Sequence, residues 1–402
     1  MDTEQHRACP RYPLRTDNAI EPSPLWAAFR ERPDIPLIDL PTGESAYLLT
    51  RYDDVREALV NPVFSRAALA RMQNASLVSL EGSGANLVDL DPPEHSRLRQ
   101  VMSRSFTARR VESMRPRVQQ LTHDILDAVL AGTPPVDFIT AFAEPVALTV
   151  MCELLGIPYG DRARFRQWTL HILSMGDEAD TGAIRAREEF FVYLRELADV
   201  KRVTPGDDLF TAMITAHDAD VGKLTEAELV TMVATMVVAG LATANFMGRG
   251  IPWVLRSPSL YEQLGTADEK QVRALVEELL RIVTPTETAV LRMTTQDVEL
   301  SGNVIPAGSL VIPGLVSANR DATEFADPDD FDAGREDNQR HLAFGGGPHF
   351  CLGAALARLE LSVALSTLAR RVPTLRLAVP ETRLQRRTET FTQSLIEVPV
   401  AW

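Results

Sequence analysis

The stretch HLAFGGGPHFCLGAALARLEL, His341 to Leu361, holds the densest set of chemistry-bearing residues in the chain. Three glycines, a proline and an aromatic precede Cys351, and a strong helical pattern starts directly after it. Taken alone, the glycines read as a tight turn around a buried cysteine. A phosphate cradle is the other reading, but no Lys-Ser/Thr pair follows them. A cysteine at a helix start faces the positive end of the dipole and nearby backbone N–H groups, which favour thiolate over thiol. A thiolate held in such a turn suits a metal. Zinc fits poorly, because Cys9, Cys152 and Cys351 are widely separated and no second Cys or His stands at finger spacing.

A second question sits in VVAGLATANF, Val237 to Phe246, which has no ionisable residue. It belongs to a run, Leu229 to Gly248, that stays uncharged for 20 residues, about the length of a membrane span. Thr231, Thr235, Thr243 and Asn245 interrupt that run and no second span accompanies it, so a central helix of a large helical domain explains it better. The start is marked by Thr225-Glu-Ala-Glu228, a capping box in which hydroxyl and carboxylate satisfy orphan N–H groups. The helix is predicted to run to about Arg256, roughly 45 Å, with a kink at Pro252 eased by Gly248 and Gly250.

The elements around these two stretches are mostly helical. The periodicity predicts helices over Asp53–Leu59, Val111–Leu130, Ala141–Leu155 and Arg185–Val200. IPLIDLPTGESAYLLT alternates around a glycine turn and predicts a hairpin, and a strand-rich patch runs from Ala289 to Val311. The class is mainly α with small β-sheets. Neither repeat nor low-complexity linker divides the 402 residues, so one domain over 1–402 is expected, with 1–23 a loosely ordered extension. A net charge of −14 argues against nucleic acid. Three cysteines suit a reducing compartment, and MDTEQHRACPRYPLR has no apolar core to serve as a signal or anchor, so a cytoplasmic protein free of the membrane is expected.

Phe344-Gly345-x-Gly347-x-His349-x-Cys351-x-Gly353 resembles the haem-binding loop of the cytochrome P450 superfamily at every fixed place. Three further segments agree in order and distance. Glu278-Leu-Leu-Arg281 is similar to the family's Glu-x-x-Arg helix, and Arg335 in FDAGRED to the arginine that completes its buried ion network. DPPEHSRLRQVMSRSFT is similar to the helix crossing one haem edge, with His95 and Arg99 one turn apart. The resemblance spans about Pro24 to Trp402 and implies a single-domain P450-like fold with haem b (iron protoporphyrin IX) between the long central helix and the cysteine loop. It implies Cys351 as axial ligand of the iron, with His95, Arg99, Arg292 and His349 toward the propionates. It also implies O₂ and a ferredoxin with its ferredoxin reductase as partners, as in soluble bacterial members, with Arg104, Arg109 and Arg110 as candidates for docking.

Most family members place a carboxylate before a threonine on the central helix to organise proton delivery. Aligned on Ala239-Gly240, the acid place here is Ala242 and the threonine Thr243; aligned on Asn245 and Gly248-x-Gly250, those places fall on Leu241 and Ala242. Both remove the acid, the second removes the alcohol too, and neighbouring sequence offers no acid substitute. Three consequences compete: a relay by substrate groups or water, use of peroxide, or hydrogen abstraction followed by coupling. Nitric-oxide-reducing relatives also carry Ala-Thr here. The missing acid, the chain length and the terminal VPVAW resemble bacterial members that oxidise or couple aromatic cyclodipeptides (diketopiperazines). By family position, an aromatic or largely apolar small molecule would meet Met72, Gln73, Asn86, Val88, Met236, Val237, Gly240, Thr288, Val290 and Phe391. The leading expectation is a secondary-metabolite oxidase or monooxygenase, with a polyketide or terpenoid hydroxylase, a non-catalytic haem sensor, and a haem-free helical binding protein as alternatives.

Overall fold

The structure is a computed structural model that describes residues 9–71, 86–103, 106–173, 181–219, 224–388 and 390–402. Helices dominate, beside sheets of five, three and two strands, in agreement with the mainly helical class. The uncharged run forms most of the longest helix, Glu226–Val254. The Thr225 hydroxyl accepts the Glu228 N–H at 3.2 Å and the Glu228 carboxylate accepts the Thr225 N–H at 2.8 Å. Thr225→Ala is therefore expected to lower stability by about 1 kcal/mol, read from the denaturant midpoint; a loss under about 0.3 kcal/mol would mean that water satisfies these N–H groups equally well.

This helix is apolar all round because protein surrounds it. Its most apolar window is 78% buried inside the fold, so core, not lipid, explains the missing charges. It packs against Glu144–Leu155, Thr181–Val203 and the helix Ala354–Arg371 that follows the cysteine loop. Ala354–Arg371 in turn packs on Arg115–Leu130, Pro258–Thr266 and Glu269–Val283. Pro252 lies in the last turn of the central helix, as its position in the sequence requires.

The sequence periodicity erred at two joints, both near proline. The helix expected over Val111–Leu130 breaks at Met114 into Ala108–Ser113 and Arg115–Leu130, with Pro116 in the first turn of the second, where its missing N–H costs nothing. The helix expected from Ala141 begins as a π turn, Ile139–Ala143, and becomes α-helical only at Glu144, with Pro145 in its first turn.

The predicted hairpin forms from Leu37–Asp39 and Ser45–Leu49, with Gly43 in the left-handed region at φ +95°. Ser45–Leu49 then pairs in parallel with Leu310–Pro313, which pairs antiparallel with Arg292–Thr294, and Phe64–Ser65 closes the sheet. This sheet delivers Arg292 and, just beyond its last strand, Arg66 toward the interior.

Residues 9–23 are not loosely ordered. Tyr12, Leu14 and Ile20 are buried, and arginines distant in sequence grip the segment. Arg386 donates to the Ala19 carbonyl at 2.6 Å and also to that of Glu21, Arg249 reaches the Ile20 carbonyl at 3.4 Å, and Arg256 and Arg320 both pair with the Glu21 carboxylate.

Candidate active site

The cysteine loop is shaped by backbone. Cys351 N–H donates to the Phe344 carbonyl at 2.9 Å and Gly345 N–H to Leu342 at 2.8 Å. Gly345 and Gly347 take φ +69° and +62°, and a Cβ on Gly347 would clash with the Leu59 carbonyl oxygen, so the loop rests directly on the helix Tyr52–Val60. Arg358 lies 4.4 Å over the Phe344 ring. Glu277 holds Arg358 from behind and accepts from His341 Nε2 at 3.1 Å. Burial alone would raise the Glu277 carboxyl, but the His341 and Arg358 bonds overcome it and bring it down to about 2.

The Cys351 sulfur is open to a cavity on one side and enclosed by protein on the others. That enclosure pushes the thiol up, against the opposing pull of the Gly353 N–H, Arg99 and Arg358. A coordinated metal reverses that balance by deprotonating the sulfur.

The cavity spans about 920 Å³, part of it open to solvent, and separates Cys351 from the central helix. Met232, Thr235, Met236, Ala239, Gly240 and Thr243 line one wall at helical spacing. A Cβ on Gly240 would lie 2.7 Å from Cε, the far end of the flexible Met151 side chain. Gly353, Leu356, Ala357 and Glu360 line the opposite wall, again at helical spacing. Thr243 donates to Glu360 Oε2 at 2.8 Å or to the Gly240 carbonyl at 3.1 Å. The alignment that put Ala242 in the threonine's place is therefore set aside: the alcohol is on the cavity wall. Ala242 and Asn245 are half-buried and not part of it.

At one edge stand His95, Arg99, Arg292 and His349. The His95 and His349 rings are 4.3 Å apart, and Arg99 donates to the Phe350 carbonyl at 2.7 Å. Both His95 ring nitrogens, His349 Nε2 and Arg292 Nε are buried without a hydrogen-bond partner among the described residues. Burial, and then Arg292, His95, Arg66 and Arg99, depress the His349 imidazole to about 2; burial and Arg66 bring Arg292 down to about 10. Such orphaned donors in a cationic cluster suit an anion with several acceptor oxygens, and two carboxylates meet that description. Together with a largely apolar cavity and the Cys351 thiol facing into it, the residues present fit a haem.

The Glu278 network is fully interior. Arg281 grips both Glu278 oxygens at 2.7 and 2.9 Å and donates to the Asn319, Pro328 and Asp330 carbonyls, while Arg335 reaches Glu278 at 3.3 Å. Asn319 in turn accepts the Leu342 N–H at 2.6 Å, which ties this network to the start of the cysteine loop.

The substrate-contact expectations fare unevenly. Val88, Met236 and Gly240 line the cavity. Val237 instead packs in the core, Thr288 bonds the Tyr12 hydroxyl at 3.1 Å, and Asn86 accepts from Thr235 at 3.2 Å behind the wall. Val290 and Phe391 are half-buried and do not line the described cavity either. Met72, Gln73 and Arg104 lie outside the described residues. Sequence reading missed Arg66 and Glu360. For Glu360 a signal existed: Gly353, Leu356, Ala357 and Glu360 fall on one helical face.

The family model described as Cytochrome P450 matches residues 270–395. The Nocardicin C N-oxygenase of Nocardia uniformis subsp. tsuyamanensis is 40% identical over 394 residues, covering 97% of this chain and 98% of that one. The Mycinamicin IV hydroxylase/epoxidase of Micromonospora griseorubida is 36% identical, with 97% and 98% covered. The crystal structure of HinD with NMFT and NO superposes with a TM-score of 0.90 at 36% identity, covering 98% of this chain and 100% of that one.

Proposed function

This chain is a cytochrome P450 monooxygenase of the bacterial biosynthetic type, and we propose that it inserts oxygen into a mid-sized, largely apolar secondary metabolite. One observation carries this reading: Thr243 presents its hydroxyl on the wall of the same cavity that the Cys351 sulfur faces. Haem b, held by the Cys351 sulfur, would supply the oxidising chemistry. His95, Arg99, Arg292 and His349 would hold its propionates, and Phe344, Gly345 and Gly353 shape the loop that presents the sulfur.

The protein's share is to seat the substrate and exclude water. Met232 and Met236 offer polarisable sulfur to an aromatic face, and Thr235 is a polar point on an otherwise apolar wall. Aromatic cyclodipeptides suit such a wall. A ferredoxin-type donor would dock at Arg109 and Arg110, on a helix that packs against Ala354–Arg371, with the reaction carried out in the cytoplasm. A second reading, abstraction of hydrogen and coupling of aromatic radicals, is favoured by Ala242 in the acid's place.

The test titrates the haem-loaded protein with aromatic cyclodipeptides, polyketides and terpenoids while following the iron spin state. Compounds that shift it are then turned over with a surrogate ferredoxin and reductase. A product gaining one oxygen atom is the expected result. A product lacking two hydrogens would establish coupling instead. No shift of the spin state and no compound consumed would turn the assignment toward a sensor.

A further inference from the structure

Arg66 is 1% exposed, and each of its three guanidinium nitrogens bonds to another segment of the chain. Nε donates to the Val88 carbonyl at 2.7 Å, one terminal nitrogen donates to the Leu291 carbonyl, and the other pairs with Asp89 at 3.2 Å. The grip is returned. Asp91 accepts the Arg66 and Ala67 N–H groups at 3.0 and 3.3 Å, together with the Ser65 hydroxyl, and so fastens the start of the short helix Arg66–Leu69. The segment clasped in this way contains the turn Leu87–Asp89, whose Leu87 and Val88 line the cavity. The other end of that turn is tied to the central helix, because the Asn86 side chain accepts the Thr235 hydroxyl and the Val88 N–H, both at 3.2 Å. Leu291, the third partner, directly precedes Arg292 at the edge of the cavity.

We propose that Arg66 is a positioning residue that sets substrate selection, by holding the Leu87–Val88 wall in register with the strand that carries Arg292. The inference rests on the reading that this cavity, loaded with haem, takes the substrate. Arg66 is not among the residues lining the cavity, so it acts through Leu87 and Val88. Stability is a poor account of such a pair. Both side chains are almost wholly buried, and at that depth desolvation offsets most of the attraction between the charges. What the guanidinium supplies is geometry: a rigid planar fork fixes two carbonyls and a carboxylate at set directions, which a flexible ammonium cannot do. The same charge reaches the cavity edge, where it lowers both Arg292 and His349. Wall and edge are thus referred to one anchor.

The experiment compares the haem-loaded wild type with Arg66→Lys and with the double variant Arg66→Met/Asp89→Leu. The double variant exchanges both charges for apolar side chains, so its unfolding midpoint should stay near that of the wild type while the fork is gone. Arg66→Lys keeps a charge beside Asp89 and supplies the same comparison if the apolar pair fails to fold. Two probes are titrated spectrally. Imidazole, which needs only the iron, should bind all three proteins within about twofold, as for sites that share no partners. Phenylimidazole, whose ring must also fit the wall, should bind both variants about tenfold more weakly than the wild type, the worth of roughly one misplaced methylene in an apolar pocket. A readout that needs no haem is amide exchange at Val88 and Asp89, whose N–H groups bond to Asn86. It should quicken about tenfold in the variants while the central helix is unchanged. A variant with the wild-type midpoint that binds phenylimidazole within about twofold of the wild type would reduce Arg66 to a stabilising pair and overturn the proposal. Loss of haem from a stably folded variant would overturn it too, since Arg66 would then serve the edge and not the wall. If the wild type makes no oxygenated product, the parent reading fails, and the two imidazoles still decide the role of Arg66. If it takes up no haem at all, the exchange rates decide it.

Discussion

Cys351→Ser removes the thiolate signature from the reduced carbon-monoxide spectrum and drops turnover below about one-hundredth of the parent. The bound follows from scale: changing groups behind a metal ligand already costs about 10–100-fold, and this substitution removes the ligand. Serine keeps the size and the loop geometry, because the bonds that fix position 351 are backbone bonds, from its N–H to Phe344 and from the Ala354 N–H to its carbonyl. The sulfur packs against no core on its cavity side. Unfolding of the haem-free variant should therefore stay within about 1 kcal/mol of the haem-free parent. A retained thiolate spectrum would refute the assignment of Cys351 outright.

Arg281→Ala destabilises the protein by about 3–5 kcal/mol, the range for removing one partner of a buried ion pair. Both Arg281 and Glu278 side chains are 0% exposed, so solvent cannot screen the charge left behind. The deletion also removes one donor from each of three carbonyls, those of Asn319, Pro328 and Asp330, of which Asp330 keeps a donor in Arg335 at 3.4 Å. Arg281→Lys should recover only part of the loss, since one ammonium cannot reproduce a two-pronged grip on Glu278 with three further donations. Because Asn319 also holds the Leu342 N–H, haem occupancy should fall along with stability. Denaturant unfolding and the haem-to-protein absorbance ratio measure the two effects. A loss under about 1 kcal/mol would show the network to be ornamental.

What the sequence revealed, and what it hid, follows the range of the interactions. Thr225 and Glu228 cap each other across three residues, and the glycines before Cys351 set a turn within ten, so both were readable locally. The hairpin at Gly43 was legible for the same reason. The break at Met114 was hidden, because a strongly periodic stretch carries a helical signal straight through a proline that a first turn tolerates. Thr288 and Val237 were assigned to a pocket by family position alone; Thr288 bonds the Tyr12 hydroxyl and Val237 packs in the core. The Thr243–Glu360 contact joins helices far apart in the chain, and no local pattern announces a partner across a cavity. Arg66 was equally silent, since only the sheet brings it near Arg292.

The grip on residues 19–21 has a consequence for how the chain is made. Arg249, Arg256, Arg320 and Arg386 enter the ribosomal tunnel hundreds of codons after the segment they clasp, with separations of 229 to 367 residues. Contacts of such span bear the full entropy of closing the intervening loop, so they are late events in assembly. The first helices leave the ribosome with this seam ajar, and it is zipped shut only when the C-terminal residues emerge. Residues 19–21, made long before the arginines that hold them, are thus among the last to find their place.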